Sequence, residues 1–167
     1  SSQLQADFLE GQGFKITWDL GGLNTAFLAE WGEGKPVIGF AGEYDALGGL
    51  SQKAQTAQEP LIPGAAGHAC GHNLLGVGCL LAAVAAKQYL EANHQGGTVR
   101  YYGCPAEEAG DGKVYMARAG VFNDLDAAFN YHSDYLNFAS KGSAVAVTDI
   151  KFRFHGRSAH AGGSPHL

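Results

Sequence analysis

"PVIGFAGEYDAL", residues 36–47, decides the fold class. Its first half is a continuous apolar run without polar alternation, the pattern of a strand covered on both faces. Its second half reaches Glu43 and Asp45, so acidic side chains stand at the carboxyl end of that strand. In open α/β sheets this is the end outside which ligands bind.

Working outward, "FKITW" at 14–18 and "NTAFLAEW" at 24–31 mix apolar and polar residues between glycines and read as two strands, a candidate hairpin. Residues 48–67 carry no helical or strand period and are rich in Gly, Gln, Ala and Pro, which marks a long irregular loop leading over a site. A helix is expected over about 72–92, then a strand in "GGTVRYYGC" broken by Pro105, and a short helix in "KVYMARAG" with Gly120 as its cap. A further strand is expected at 126–132, ending on His132. Strand, helix, strand, helix, strand is the order of an α/β sheet with parallel members. From about Ser143 the pattern changes to a long alternating strand followed by a turn, so a division into 1–142 and 143–167 is expected.

With 167 residues, 46% of them hydrophobic and only 16% charged, the chain has the composition of a domain with an ordinary core rather than of a disordered segment. A formal net charge of -5 supplies no basic stripe to neutralise phosphates, which speaks against nucleic acid as a partner. Cys70, Cys79 and Cys104 form no CxxC pair and cannot all pair within one chain, so a reducing, cytoplasmic setting is expected. The start lacks the basic and apolar regions of a secretory signal. The most apolar stretch, "LLGVGCLLAAVAAKQYL", contains Lys87 and two glycines and reads as a buried helix rather than a membrane span.

The polar clusters share one placement. Asp45 ends a strand, Cys70 and His72 open a helix, Glu107 and Glu108 follow a strand, and His132 ends the last strand, all on one rim of one sheet. A thiol, two imidazoles and adjacent carboxylates on one rim make a mixed N/O/S donor set, suited to zinc or, where carboxylates dominate, to manganese or cobalt. A cysteine nucleophile has its histidine partner distant in sequence, and a structural zinc site has Cys/His ligands in two separated pairs. Neither pattern is present, which leaves a catalytic metal. A dinucleotide site is disfavoured because no GxGxxG follows a strand.

The phrases "FAGEYDALGGLSQ", "GHACGHNLLG", "GGTVRYYGCPAEEAGDGKVYMARAGVFNDLDAAFNYH" and "FRFHGRSAHAGGSPHL" resemble the aminoacylase-type zinc metallopeptidases. Within them the likeness is to the branch of hippurate hydrolase and the indole-acetyl-amino-acid hydrolases. Asn73 and Gly48, where many relatives have aspartate and proline, resemble the p-aminobenzoyl-glutamate branch. The resemblance implies a three-layer α/β/α catalytic domain with a mixed, largely parallel sheet, then the first strand of a small lid domain.

It also implies a metal-dependent amidohydrolase with two divalent metal ions, zinc or manganese, cleaving an N-acyl or N-aroyl amino-acid amide. The implied ligands are Cys70, His72, Glu108 and His132, with Glu107 as general base and Asp45 orienting a ligand from behind. His160, in the lid, is implied to bind substrate and stabilise the oxyanion in the partner subunit's active site, which makes the protein a homodimer or heteromer through the lid. His68 is left outside the ligand set. His94, His155 and His166 read as solvent-facing, and Cys79 and Cys104 as packing residues. Family members continue roughly as long again and supply a late histidine ligand. A metal-binding module without turnover, or one that relies on a partner chain, is the competing expectation.

Overall fold

In a computed structural model, the structure describes residues 1–134 and 136–139, and beyond them residues 150, 152, 153, 155, 160, 162, 163 and 166. The chain divides into two units, Ser1–Leu136 and Asn137–Leu167. The strand expected from about Ser143 lies outside the described residues.

The first unit is built on a five-stranded sheet. Helix α1 (Ser2–Gly11) precedes strands β1 (Lys15–Trp18), β2 (Phe27–Glu33) and β3 (Val37–Glu43). Helix α2 (His72–Ala92), strand β4 (Gly97–Cys104), helices α3 (Glu107–Gly110) and α4 (Gly112–Arg118), and strand β5 (Ala127–Asn130) follow. The sheet order is β1-β2-β4-β3-β5. β1, β2 and β4 pair antiparallel, whereas β4, β3 and β5 run parallel. The fold is therefore a mixed α/β sheet with parallel members, and its hairpin half is antiparallel.

Two apolar layers sandwich the sheet. On one face, Ala6 and Leu9 of α1 pack with Cys79, Leu80 and Ala83 of α2 against Phe27, Val99 and Tyr101. On the other, Met116 of α4 packs with Tyr102 and Cys104, closed by Leu20, Phe122 and Leu125. The central strand β4 is buried along nearly its whole length, as a strand with neighbours on both edges and helices on both faces must be. Phe27 links the hairpin to the central strand within one layer, its ring 5.0 Å from Trp18 of β1 and 5.7 Å from Tyr101 of β4.

α2 begins at His72, as its apolar run suggests, but its burial is one-sided. Leu75, Gly76, Cys79, Leu80, Ala83 and Val84 lie against the sheet, whereas Leu74, Val77, Leu81 and Tyr89 are exposed in this chain. By length and composition alone α2 is apolar enough to span a bilayer. Gly76 lets it approach the sheet closely: a Cβ there would stand 2.4 Å from the carbonyl oxygen of Glu43. The first turn of α2 is thereby pressed against the carboxyl end of β3, and the two deliver their polar groups to one place.

Candidate metal centre

The parallel register sets the rim. Glu43 at the end of β3 is level with Cys104 at the end of β4, and β5 runs in the same direction beside β3. Beyond β3 the chain leaves the sheet. The Tyr44 hydroxyl donates to the Thr25 carbonyl at 2.5 Å, and Asp45 turns towards α2. Beyond β4, Ala106 adopts a left-handed conformation with φ 57, an uncommon state for a residue with a Cβ, and it starts the short helix that carries Glu107 and Glu108. Gly71, with φ 85, makes the equivalent turn before His72.

His72 is the centre of the cluster, with a side chain only 1% exposed. Its Nδ1 lies 2.9 Å from Asp45 Oδ1 and 3.1 Å from the Asp45 carbonyl. The carbonyl and the carboxylate are acceptors, so Nδ1 carries the proton and Nε2 presents a lone pair. Asp45 also accepts the Glu108 backbone N–H through Oδ2 at 3.0 Å, tying the β3 end, the α2 start and the β4 end together. His132 is oriented in the same way: its Nδ1 donates to the Ser133 carbonyl at 3.0 Å, leaving Nε2 3.4 Å from Cys70 Sγ.

The His72 Nε2 is buried and has no hydrogen-bond partner among the described residues. Around it stand Glu43 Oε2 at 3.2 Å, Glu107 Oε2 at 3.8 Å and Glu108 Oε1 at 3.9 Å. Among the described residues, two donor sets each lie within 4.8 Å: Cys70, His72 and His132, and Glu43, His72 and Glu107. A buried lone pair without a partner is costly, and one surrounded by carboxylates and a thiol suits a cation. The spacing fits as well. Ligands at zinc bond lengths in a tetrahedron are about 3.3 Å apart for an N,O pair and about 3.6 Å for an N,S pair. The residues present therefore fit a divalent metal, with two second-ring hydrogen bonds of the kind that orient ligating histidines.

Electrostatics follows from the crowding. Burial, then hydrogen bonding to and the charge of Glu108, with smaller effects from Glu107 and Glu43, pushes the Cys70 thiol above its ordinary range. Burial, then the Glu43 charge, raises Glu107, while Lys113 opposes it. Cys104 is buried and pushed up to about 12, mainly by desolvation, and packs under the sheet end.

Asp45, Cys70, His72, Glu107, Glu108 and His132 are thus brought to one rim. His68 lies outside both donor sets and lines a cavity of about 700 Å³ with Leu50, Gln52, Gln58, Leu61 and Asn73, inside the long 48–67 loop and its flanks. His160 belongs to the second unit, is exposed, and accepts the Gly163 N–H on its Nδ1 at 2.9 Å. Two residues absent from the expected set stand in the cluster. Glu43 faces His72, and Lys113 forms an ion pair with Glu43. The signal for Glu43 was its place at the end of the apolar strand; Lys113 carried none.

Residues 39–163 match the model of peptidase family M20/M25/M40. Over the whole chain the sequence is 49% identical to one of the subunits of the p-aminobenzoyl-glutamate hydrolase of Escherichia coli, covering 35% of that protein. It is 35% identical to the mouse Xaa-Arg dipeptidase, covering 86% of this chain and 32% of the relative. Among solved structures, the YXEP protein of Bacillus subtilis, described as a dinuclear metal binding peptidase, superposes with a TM-score of 0.61 at 28% identity. That match covers 80% of this chain and 36% of the other. The chain spans about a third of the length of the relatives it matches. The chain belongs to peptidase family M20/M25/M40.

Proposed function

We propose that this chain supplies metal ligands and the general base of a hydrolase that cleaves the amide between an acyl or aroyl group and an amino acid, with p-aminobenzoyl-glutamate as the model substrate. The observation that carries the reading is the orphaned, buried His72 Nε2 among a thiol, an imidazole and carboxylates. The 49% identical relative is named for that reaction. Cys70, His72, Glu108 and His132 would hold two divalent ions, zinc or manganese. Bound there, such ions supply Lewis-acid polarisation of the amide carbonyl.

The chain's own groups do the rest. Asp45 fixes the His72 tautomer through Nδ1 and pins the Glu108 backbone. Glu107, with 41% of its side chain exposed, stands at the open side of the cluster, where its carboxylate can take a proton from an attacking water and return it to the leaving amine. Burial and the Glu43 charge raise its affinity for that proton. His160, in the second unit, would donate to the developing oxyanion of a partner subunit. That partner comes from assembly as a homodimer or as a heteromer, the latter suggested by two differently named subunits of the Escherichia coli hydrolase that both resemble this chain. Three free cysteines suit a reducing compartment, and we place the protein in the cytoplasm with neither nucleic acid nor membrane as partner.

In the intact protein, Glu107→Gln is expected to keep its metal by elemental analysis and to lose about 10²–10⁴-fold in turnover of p-aminobenzoyl-glutamate. Turnover at the wild-type rate would remove Glu107 from the mechanism. A second reading is a metal-binding protein without turnover of its own, which the same donor sets would equally support. Metal binding by an intact protein that hydrolyses no acyl amino acid would select it.

A further inference from the structure

We propose that Glu43 is itself a ligand of the metal centre and that Lys113 is the positioning residue that holds its carboxylate there. The inference rests on the metal reading above and extends it to two residues outside the sequence-derived set.

The starting point is a contact that does not close by itself. His72 donates from Nδ1 to Asp45, and its buried Nε2 has no hydrogen-bond partner among the described residues. Of the carboxylates that face it among the described residues, Glu43 Oε2 at 3.2 Å is closer than either Glu107 or Glu108. Two acceptors facing each other at that distance repel, and His72 is too buried for bulk water to separate them. A cation bound by both turns the repulsion into two bonds. The separation is that of adjacent N and O ligands on a tetrahedral metal, about 3.3 Å. Glu43 also groups with His72 and Glu107 within 4.8 Å, and with Glu107 the more exposed of the two carboxylates, Glu43 is the one placed to ligate.

Lys113 supplies the geometry. Its ammonium donates to Glu43 Oε1, which leaves Oε2 to face His72. With only 13% of its side chain exposed, Glu43 has little freedom to leave that orientation. Lys113 sits in the first turn of α4, and the neighbouring Gly112 N–H donates to the Ala106 carbonyl at 3.2 Å. The ammonium is therefore carried by the helix that follows directly on the one presenting Glu107 and Glu108, and that helix is tied back to the Ala106 turn. It also sets one positive charge against Glu43, Asp45, Glu107 and Glu108 before any ion arrives, a role the stem of a lysine suits as a flexible point charge.

The test uses the intact protein, stripped of metal and titrated with Co²⁺ against a chromophoric chelator while the visible cobalt spectrum is recorded. Wild type is expected to take two ions. Glu43→Gln is expected to lose about 10–100-fold in affinity for one of them and to change the band intensities of the cobalt that remains. Glu43→Asp, one methylene shorter, is expected to bind with an altered spectrum, and it carries the test if the glutamine variant does not fold. Lys113→Met is expected to weaken the same ion by a smaller factor, and Lys113→Arg to restore it. Metal-free melting of Glu43→Gln at or above the wild-type temperature excludes a purely structural role. Two ions bound by both Glu43 variants with wild-type affinity and spectrum would overturn the proposal and leave the metal reading standing. A wild-type protein that takes no cobalt would overturn both.

Discussion

Replacing Asp45 with asparagine changes almost no volume yet should disable the centre through a proton. The Asp45 carboxylate accepts twice, the His72 Nδ1–H at 2.9 Å on Oδ1 and the Glu108 N–H at 3.0 Å on Oδ2, and the Asp45 carbonyl stands 3.1 Å from the same Nδ1. Asparagine keeps one oxygen and presents an NH₂ in place of the other. If its oxygen stays with Glu108, the NH₂ faces Nδ1; donating to it moves the imidazole proton to Nε2, removes the lone pair aimed at the cluster and leaves the Asp45 carbonyl without its Nδ1–H. If its oxygen stays with His72, two N–H donors meet head-on at Glu108. Either arrangement loses one hydrogen bond to a charged acceptor, about 1.5–3 kcal/mol. At about 1.4 kcal/mol per factor of ten, this corresponds to a loss of roughly 10–100-fold in metal affinity. The assay is competition for Zn²⁺ with a chromophoric chelator, alongside ¹⁵N NMR of the metal-free imidazole, which reads the tautomer directly. Nδ1–H is expected in wild type and Nε2–H in Asp45→Asn. Zinc affinity within twofold of wild type, with an unchanged tautomer, would refute the assignment of Asp45 as the group that orients His72.

Two further outcomes test the frame and the thiols. Gly76→Ala places a Cβ 2.4 Å from the Glu43 carbonyl oxygen and 2.8 Å from Gln5 Nε2, and the first of these is backbone that cannot swing away. Overpacking of this kind costs about 1–3 kcal/mol, so the urea midpoint should fall, and an unchanged midpoint would mean that α2 is not seated on β3 as described. In the native, metal-free protein, iodoacetamide should label Cys70 before Cys79 and Cys104, because burial raises both of the latter and seals them in the core. The thiolate is the reactive form, so labelling of Cys70, whose thiol is also raised, should be slow near neutrality, climb with pH, and be suppressed by zinc. Labelling of Cys104 as fast as Cys70 would contradict its burial.

What could be read in the sequence had a strong local signal. The apolar run before Glu43 carried β3 because a strand covered on both faces has no alternation to lose, and β3 does lie between β4 and β5 with a helical layer on each side. The hairpin was equally legible, although Asn24 to Ala26 belong to the turn and the second strand begins at Phe27. Other features depend on partners distant in the chain. α1 went unread because its buried face is only Gln5, Ala6 and Leu9 in a half-polar segment, and nothing local distinguishes that from a surface loop. The insertion of β4 between β2 and β3, which makes half the sheet antiparallel, is a choice of pairing that no single strand encodes. Tyr44 to Leu47 left the strand for a similar reason: the Tyr44 hydroxyl reaches Thr25 and Asp45 reaches His72, both tertiary contacts. Glu43 and Lys113 are ordinary acidic and basic residues until the fold places a buried imidazole between the carboxylate and its neighbours.

The same logic separates the two adjacent glutamates, which sequence alone could only tell apart by resemblance. Both follow the left-handed turn at Ala106, and both approach His72 to nearly the same distance. Their surroundings differ. Glu108 has its backbone N–H held by Asp45 and only 23% of its side chain exposed, so its carboxylate is fixed by the group that also fixes His72. A ligand benefits from that rigidity, because a fixed donor loses little freedom when a metal binds. Glu107 has 41% of its side chain exposed, lies outside that hydrogen bond, and is raised by burial and by the charge of Glu43. A general base needs these properties instead: access to the reacting water, room to move between two proton partners, and a proton affinity above that of an ordinary carboxylate. If the roles were reversed, the fixed carboxylate would have to shuttle and the mobile one would have to anchor an ion. The measurement that separates the two is metal content, which Glu108→Gln should lose and Glu107→Gln should keep.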